Sequence, residues 1–300
     1  MRAARDGKDV TVFVELKARF DEERNIEWVR RLENAGVHVI YGVVGLKNHA
    51  KVALVVRSEP GGTRRYAHIG TGNYNAATAA AYTDFGLLTA DPGITADLTD
   101  LFNELTGSAR SPEGEFRTLL VAPSTLLSGV LERIDREAAH AAAGRPALIR
   151  AQLNGLEDPE VVEALYRASQ AGVQVDLLVR GLCTLRPGVP GLSERIRVRS
   201  VLGRFLEHAR MYHFANGGEG PGEWFIGSAD WRVRNLRRRI EVVARVRSPA
   251  HQARLDHIFT MLFEEPTAWE LEEGGGYHRG ARPRGARHVH ERLRQDVEAS

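Results

Sequence analysis

The sequence is poor in cysteine and lysine and has no long hydrophobic segment. Cys183 is the single cysteine among 300 residues, so no disulfide can form within the chain. A lone thiol is typical of a reducing compartment, and we therefore predict a cytoplasmic protein. No apolar run approaches the ~20 residues of a membrane helix, and the run at residues 10–14 is too short for a signal-peptide core. The sequence therefore excludes a disulfide scaffold and predicts no transmembrane segment.

Positive and negative charges almost cancel. The 41 lysines and arginines exceed the 39 acidic residues by a net charge of +2, which is too small to indicate nucleic acid or an anionic membrane. We therefore expect no nucleic-acid partner. Lysine occurs only at Lys8, Lys17, Lys47 and Lys51, so almost all of the positive charge is arginine. The last two of these lysines flank His49.

The pattern of apolar residues predicts an α/β protein. A composition of 43% hydrophobic and 27% charged residues is that of a globular chain, and 300 residues suffice for two domains. The first third of the chain has β-branched runs of strand length and one segment with apolar residues at helical spacing. The predicted elements are a strand at 10–16, a helix at 22–35, and strands at 37–41, 51–56 and 66–69.

The same plan occurs a second time. A strand at 149–153, a helix at 159–171 and a strand at 172–179 repeat the order of the first copy. Three landmarks then follow in both copies, which indicates an internal duplication. The matching pairs are 49–51 with 208–210, Gly70–Asn73 with Gly227–Asp230, and Asp84 with Glu241. Residues 181–205 of the second copy are rich in proline and glycine, and we predict that they form a loop insertion.

These patterns predict two domains and a tail. The small and polar residues 106–115 are typical of an interdomain linker. We place a first domain at residues 1–116 and a second at 117–270. The remaining residues, 271–300, are rich in glycine and arginine, and we predict that they form a disordered tail.

The repeated histidine motif indicates phosphate chemistry. Alternate residues of a strand point to the same face, so His49 and Lys51 face one pocket. Neutral imidazole is a nucleophile toward phosphorus, and an ammonium group beside it offsets charge on the transferring group. The glycine-rich turn at 70–73 allows backbone N–H groups to approach phosphate oxygens closely.

Carboxylates and a further cation complete this hypothesis. A carboxylate must orient each imidazole, and Asp84 and Glu241 occupy corresponding places in the two copies. Arg239 lies two residues before Glu241 on a predicted strand, so it shares that face and we expect it to hold the transferring charge. The histidines expected to be structural or on the surface are His38, His68, His140, His251 and His257.

Four sequence motifs are similar to those of a known family. They are Gly-Leu-Lys-Asn-His-Ala-Lys at 45–51, Tyr-Thr-Asp-Phe at 82–85, Gly-Arg-Phe-Leu-Glu-His-Ala-Arg at 203–210 and Gly-Ser-Ala-Asp-Trp at 227–231. These motifs resemble the C-terminal catalytic half of the bacterial polyphosphate kinase family. The resemblance covers about residues 8–265, and the duplicated plan also resembles the phospholipase D superfamily, whose fold that kinase family shares. It implies two tandem phospholipase D-like domains with mixed sheets flanked by helices, in a chain truncated at its N-terminus.

The resemblance also implies a reaction and residue roles. The reaction is reversible transfer of the ATP γ-phosphoryl group to inorganic polyphosphate, with His49 phosphorylated during turnover. Tyr82, Arg180 and His208 would line the ATP site. Arg19 falls where the family binds Mg²⁺ together with nucleotide phosphates. Because arginine has no lone pair to offer a cation, we expect Arg19 to contact the phosphates around Mg²⁺.

The two histidines differ in their neighbours. The second copy has acidic Asp230 where the first has neutral Asn73. We predict that Asp230 raises the pKa of His208 and suits it as a proton donor, while His49 remains the nucleophile. Gln152 stands where the resemblance leads us to expect a lysine.

Two alternative functions remain open at this point. A phospholipase D-type phosphodiesterase would use the same paired histidines, although such enzymes usually carry lysine in both motifs and this chain has Arg210 in the second. A non-catalytic fragment that binds nucleotide or polyphosphate is the other alternative, because the upstream part of the family is absent. The oligomeric state is open, with a homo-oligomer as one alternative.

Overall fold

The computed structural model describes residues 1–15, 22–43, 45–107 and 116–298. Its elements alternate between helices and strands along most of the chain. The helices are α1 (Arg2–Arg5), α2 (Glu22–Glu33), α3 (Ala76–Ala79), α4 (Pro92–Leu105), α5 (Leu126–Ala142), α6 (Pro159–Gln170), α7 (Val233–Arg237), α8 (Pro249–Phe263) and α9 (Val289–Glu298). The strands up to the first parallel pair of the second copy are β1 (Thr11–Val14), β2 (His38–Tyr41), β3 (Lys47–Asn48), β4 (Lys51–Glu59), β5 (Gly62–Gly70), β6 (Tyr82–Thr83), β7 (Gly86–Thr89), β8 (Leu119–Ala122), β9 (Leu148–Leu153) and β10 (Gln174–Val179). The remaining strands are β11 (Ile196–Ser200), β12 (Leu206–Glu207), β13 (Met211–Phe214), β14 (Glu223–Gly227), β15 (Arg239–Val246), β16 (Trp269–Leu271) and β17 (Tyr277–Arg279).

Strand pairing follows the same order in both copies. In the first copy β1 and β2 pair in parallel through α2, and β4, β5 and β7 form an antiparallel sheet. In the second copy β9 and β10 pair in parallel through α6, and β13, β14 and β15 are antiparallel neighbours. The predicted α/β class, with mixed sheets flanked by helices, is therefore confirmed.

Two short strand pairs join the copies next to the histidine motifs. β3 of the first copy pairs in parallel with β15 of the second, with Lys47 opposite Arg239. β6 of the first copy pairs in parallel with β12 of the second, with Thr83 opposite Glu207. Because β3 ends just before His49 and β12 ends just before His208, both histidines lie at the junction of the copies.

Helices cover both faces of the large sheet, whose strand order is β17-β16-β11-β10-β9-β13-β14-β15-β3. On one face Ile134 of α5 and Leu165 of α6 pack into the largest apolar cluster. On the other face Phe259 of α8 belongs to a second cluster. A third cluster is shared between the copies, since Ile69 of β5 contacts the core that contains Val242 of β15. No helix within the described ranges has the length and apolar character needed to cross a membrane.

The predicted loop insertion at 181–205 is wrong in its second part. Strand β11 lies within it and pairs in parallel with β10 inside the large sheet. Ile196 and Val198 are buried in the main cluster, whereas the arginines between and after them are more exposed. This alternation has the period of a half-buried strand. Both prolines and two of the four glycines of the segment lie in the preceding residues, 187–191.

The predicted disorder of residues 271–300 is also wrong for most of that segment. β17 pairs with β16 at the edge of the large sheet, and α9 packs through the buried residues Val289 and His290. The prediction from composition was wrong because most of the abundant arginines are exposed, and only a few buried residues hold the segment in place. The division of the chain near Phe116 remains a prediction.

Candidate active site

His49 is oriented by a carboxylate of the other copy. Its Nδ1 lies 2.9 Å from Oε2 of Glu241, a fully buried residue of β15. The backbone N–H of His49 donates to the carbonyl of Ile240 on the same strand. Since the carboxylate accepts a hydrogen bond, Nδ1 carries the proton, and Nε2 keeps its lone pair for an incoming group.

His208 of the second copy is oriented in the same way by a carboxylate of the first copy. Its Nδ1 lies 2.9 Å from Oδ1 and 3.0 Å from Oδ2 of Asp84, which belongs to the first copy. Each histidine is therefore paired with the carboxylate of the other copy. The sequence identified the four groups but not this exchange of partners.

The turn after β5 holds the carboxylate of Asp84, and the matching turn after β14 holds that of Glu241. Thr71 donates through Oγ1 to Oδ1 of Asp84 at 2.6 Å. At the matching position Ser228 donates through Oγ to Oε2 of Glu241, and Asn235 donates through Nδ2 to Oε1 at 2.6 Å. The hydroxyl residue of the repeated Gly-Thr/Ser turn thus fixes its own copy's carboxylate, which then faces the other copy's histidine.

Glycine is required at position 72 by close packing. A Cβ atom placed on Gly72 would lie 2.2 Å from Oδ2 of Asp84, inside any possible contact distance. The turn can therefore approach the carboxylate only without a side chain at this position.

The cations of the two motifs are both buried. Lys51 is 5% exposed and donates from Nζ to the carbonyl of His49. Arg210 is 3% exposed, and its NH1 donates to the carbonyl of His208 at 2.6 Å. Buried cations beside both imidazoles suit a polyanionic substrate. The negative charge of such a substrate would compensate for the water that the two cations lose on burial.

Asp230 pairs with Arg210, not with His208. Both Nε and NH2 of Arg210 lie 3.2 Å from its carboxylate oxygens. Burial alone would raise the pKa of Asp230, but this ion pair lowers it. The prediction that Asp230 raises the pKa of His208 is therefore wrong: burial is the main cause of a lowered pKa at His208, although the Asp84 hydrogen bond acts in the opposite direction.

Burial sets the charge state of the first motif. It lowers the pKa of His49 to about 4, against the opposing effect of Glu241, so the imidazole is neutral at neutral pH. It also lowers the pKa of Lys51 to about 7. Arg210 contributes to the lowered pKa of His49, and Lys51 contributes to that of His208, so the two motifs lie close enough to interact.

The residues expected at the ATP site gather around His208. The ring of Tyr82 lies 5.1 Å from the imidazole of His208, centroid to centroid. Arg180 donates through Nε to Oδ1 of Asn154 at 2.8 Å, and Asn154 in turn donates to the carbonyl of His208 at 3.0 Å. Arg239 approaches from β15, where burial lowers its pKa and the charge of Glu241 acts in the opposite direction.

Arg19 lies outside the described residues, so its predicted contact with phosphates stays a prediction. Within the ranges that the structure describes, no group of three or more His, Cys, Asp or Glu side chains could hold a metal ion. The carboxylates that contact the two histidines, Asp84 and Glu241, already accept hydrogen bonds from those histidines and from hydroxyl groups. The described donors therefore fit phosphate oxygens better than a protein-bound cation.

Several residues of the site were missed by the sequence analysis. Thr71 and Ser228 could have been found, because they occupy matching positions in the repeated turn. Asn154 has no such signal: its amide and backbone contact Arg180, His208 and Asp230 across large separations in sequence.

Comparisons with known proteins find matches along almost the whole chain. The family models "Polyphosphate kinase C-terminal domain 1" and "Polyphosphate kinase C-terminal domain 2" match residues 1–111 and 119–291. A polyphosphate kinase of Thermosynechococcus vestitus is 55% identical over 278 residues, which is 92% of this chain and 37% of the relative. One from Streptomyces coelicolor is 56% identical over 282 residues, covering 94% of this chain and 37% of the relative.

A solved structure of a polyphosphate kinase is also similar to this chain. The crystal structure of polyphosphate kinase from Porphyromonas gingivalis superposes with a TM-score of 0.87 at 36% sequence identity, over 99% of this chain and 46% of that chain. The chain thus spans less than half the length of the proteins that it matches.

Proposed function

The chain belongs to the polyphosphate kinase family, and we propose that it catalyses reversible transfer of the ATP γ-phosphoryl group to inorganic polyphosphate through a phosphohistidine. One observation carries the proposal: the neutral, half-buried imidazole of His49 is held by Glu241 at 2.9 Å with its Nε2 lone pair directed away from that carboxylate. Since the chain spans 37% of its relatives named above, the activity and its substrates are proposed for this chain.

In the first step Nε2 of His49 attacks the γ-phosphorus of ATP. A P–N bond forms, the bond from phosphorus to the β,γ-bridging oxygen breaks, and ADP leaves with that electron pair. The proton on Nδ1 stays in the hydrogen bond to Glu241, whose negative charge stabilises the imidazole as it becomes positive. Lys51 and Arg239 would offset charge on the transferring group.

In the second step a terminal oxygen of polyphosphate attacks the same phosphorus and the P–N bond breaks, which restores His49. His208 faces this step with its Nδ1 proton held by Asp84. Because its lowered pKa favours the neutral form, we assign it the role of accepting a proton or hydrogen bond from the entering chain end. Run in reverse, the two steps return the phosphoryl group to ADP.

Tyr82 and Arg180 would bind ATP beside His208. Their contacts with that histidine and with Asn154 support this role. Mg²⁺ would enter with ATP, held by the nucleotide phosphates, with Arg19 contacting those phosphates. Mg²⁺ supplies charge neutralisation on the phosphate oxygens. A cytoplasmic location agrees with the need for ATP and remains a proposal.

Label transfer tests the proposed function. The chain is incubated with γ-labelled ATP, Mg²⁺ and a short polyphosphate, and labelled polyphosphate is separated by electrophoresis. We expect labelled polyphosphate to form, and the label to return to ADP when excess ADP is added. Hydrolysis of a phosphodiester reporter without ATP would favour the phosphodiesterase instead. Binding of both substrates without any transfer would favour the non-catalytic fragment.

A further inference from the structure

The carboxylate just before His208 is buried and bound by three different elements. Glu207 is 7% exposed. Its Oε2 accepts hydrogen bonds from Nε2 of Gln152 at 2.6 Å and from Oγ1 of Thr83 at 3.0 Å. Its Oε1 lies 2.6 Å from Nε2 of His290, which is 2% exposed. Among the described residues, no lysine or arginine pairs with this carboxylate.

The tautomer of His290 follows from its second contact. The backbone N–H of Phe205 donates to Nδ1 of His290 at 3.2 Å. Nδ1 is therefore an acceptor without a proton, and Nε2 must carry the proton that it donates to Glu207. His290 thus links the backbone before Glu207 to the side chain of Glu207, from the N-terminus of α9.

This link bears directly on the pairing of His208 with Asp84. Glu207 and Thr83 are opposite each other in the β6–β12 pair. The next residue of each strand is His208 on one side and Asp84 on the other, and these two are hydrogen bonded. The strand pair has only two residues on each side, so side-chain contacts must supply much of its rigidity.

We propose that His290 is a positioning residue for phosphoryl transfer: it fixes Glu207 and the β6–β12 pair, and so fixes the imidazole of His208 against Asp84. The effect on phosphoryl transfer rests on the proposed function, whereas the positioning of His208 does not. It gives the C-terminal segment, which the composition of the chain predicted to be disordered, a part in the active site.

Two substitutions separate the contacts of His290. In His290→Asn the amide oxygen can still accept from Phe205, but the side chain is too short to reach Glu207. In His290→Gln the longer amide can still donate to Glu207. His257→Asn is the matched control, because His257 contacts α9 from a different element, α8, through Asp296 at 2.9 Å and does not touch Glu207. Thermal unfolding of each full-length variant verifies that it is folded.

The decisive readout is the ¹⁵N NMR signal of the two imidazoles, which reports the Nδ1 proton of His208 independently of activity. We expect His290→Asn to alter the His208 signal and leave that of His49 unchanged, whereas His290→Gln and His257→Asn preserve both. Single-turnover transfer should fall by roughly tenfold to a hundredfold in His290→Asn only, since small misplacements of a reacting group have effects of that size.

The outcomes distinguish this inference from the proposed function. An unchanged His208 signal in folded His290→Asn overturns the inference, whatever happens to activity. An equal change in His257→Asn also overturns it, because the effect would then follow from loosening α9 in general. A changed His208 signal in a chain that transfers no phosphate upholds the positioning role and overturns the proposed kinase activity.

Discussion

Nδ1 of His49 lies 2.9 Å from Oε2 of Glu241, a residue 192 positions later in the chain. The reciprocal contact joins His208 to Asp84 across 124 positions. Because each histidine is oriented by the carboxylate of the other copy, neither copy contains a complete histidine–carboxylate pair. Both copies are therefore needed to orient the two histidines.

The first prediction concerns this exchange of partners. Glu241→Gln should slow phosphoryl transfer from ATP by about a hundredfold or more, since it removes the negative charge that stabilises the imidazole as it becomes positive. Rapid-quench measurement of transfer in a single turnover is the test. Glu160→Gln serves as the control, because Glu160 is exposed and its ion-pair partner is Arg237 instead of a histidine. Equal rates in the two variants would rule out the role of Glu241.

The second prediction concerns Arg239 on β15. Arg239→Lys keeps the charge but replaces a planar guanidinium with a point ammonium, so two-point contact with phosphate oxygens is lost. We expect a loss of about 3 kcal/mol of transition-state stabilisation, which is a fall in rate of roughly a hundredfold. Arg238→Lys is the matched control, because Arg238 is the adjacent residue and is exposed. If both variants transferred phosphate at the same rate as the parent chain, Arg239 would have no part in the reaction.

The third prediction is a dependence on pH. Burial lowers the pKa of Lys51 to about 7, so its positive charge is present below that pH and is lost as the pH rises. The kcat/KM for ATP should therefore fall as the pH rises through about 7, since this ratio reports the free enzyme. His49, with its pKa lowered to about 4, does not titrate in that range.

Lys51→Arg checks the assignment of that titration. Arginine stays protonated throughout, so the fall in kcat/KM at higher pH should disappear in this variant. A fall at the same pH in Lys51→Arg would assign the titration to another group.

The fourth prediction uses the close packing of Gly72. In Gly72→Ala the new methyl group would lie 2.2 Å from Oδ2 of Asp84, so the turn or the carboxylate must shift, which disturbs the contact of Asp84 with His208. We expect a loss of about 1 to 3 kcal/mol in the free energy of unfolding, together with slower transfer. Gly61→Ala is the control, because nothing lies within 4 Å of a Cβ atom there. Denaturant unfolding should show no comparable loss in the control, and equal stability of both variants would contradict the packing argument.

The sequence could predict the elements that depend on local pattern. The helix expected at 159–171 is observed at Pro159–Gln170, and the strand expected at 149–153 is observed at Leu148–Leu153. The duplicated landmarks also identified both histidines and both carboxylates. Repetition revealed these groups because each copy has residues of the same chemical kind at matching places.

Contacts between distant segments could not be predicted in this way. The partner of each histidine depends on how the two copies face each other, and no local pattern encodes that arrangement. His290 was overlooked for a related reason: its segment is rich in arginine, and its contacts with Glu207, 83 positions earlier, and with Phe205 depend on how distant segments meet. Arg19 lies outside the described residues, and its role remains a prediction.

The position of the phosphate in the phosphorylated enzyme tests the central claim most directly. After brief incubation with labelled ATP and Mg²⁺, the chain is digested at alkaline pH, where a P–N bond to imidazole survives, and the peptides are sequenced by mass spectrometry. We predict acid-labile, alkali-stable phosphate on His49, its absence from His49→Ala, and its slower formation on the same residue in His208→Ala. Phosphate on His208 of the unsubstituted chain, or label that persists in His49→Ala, would contradict the account.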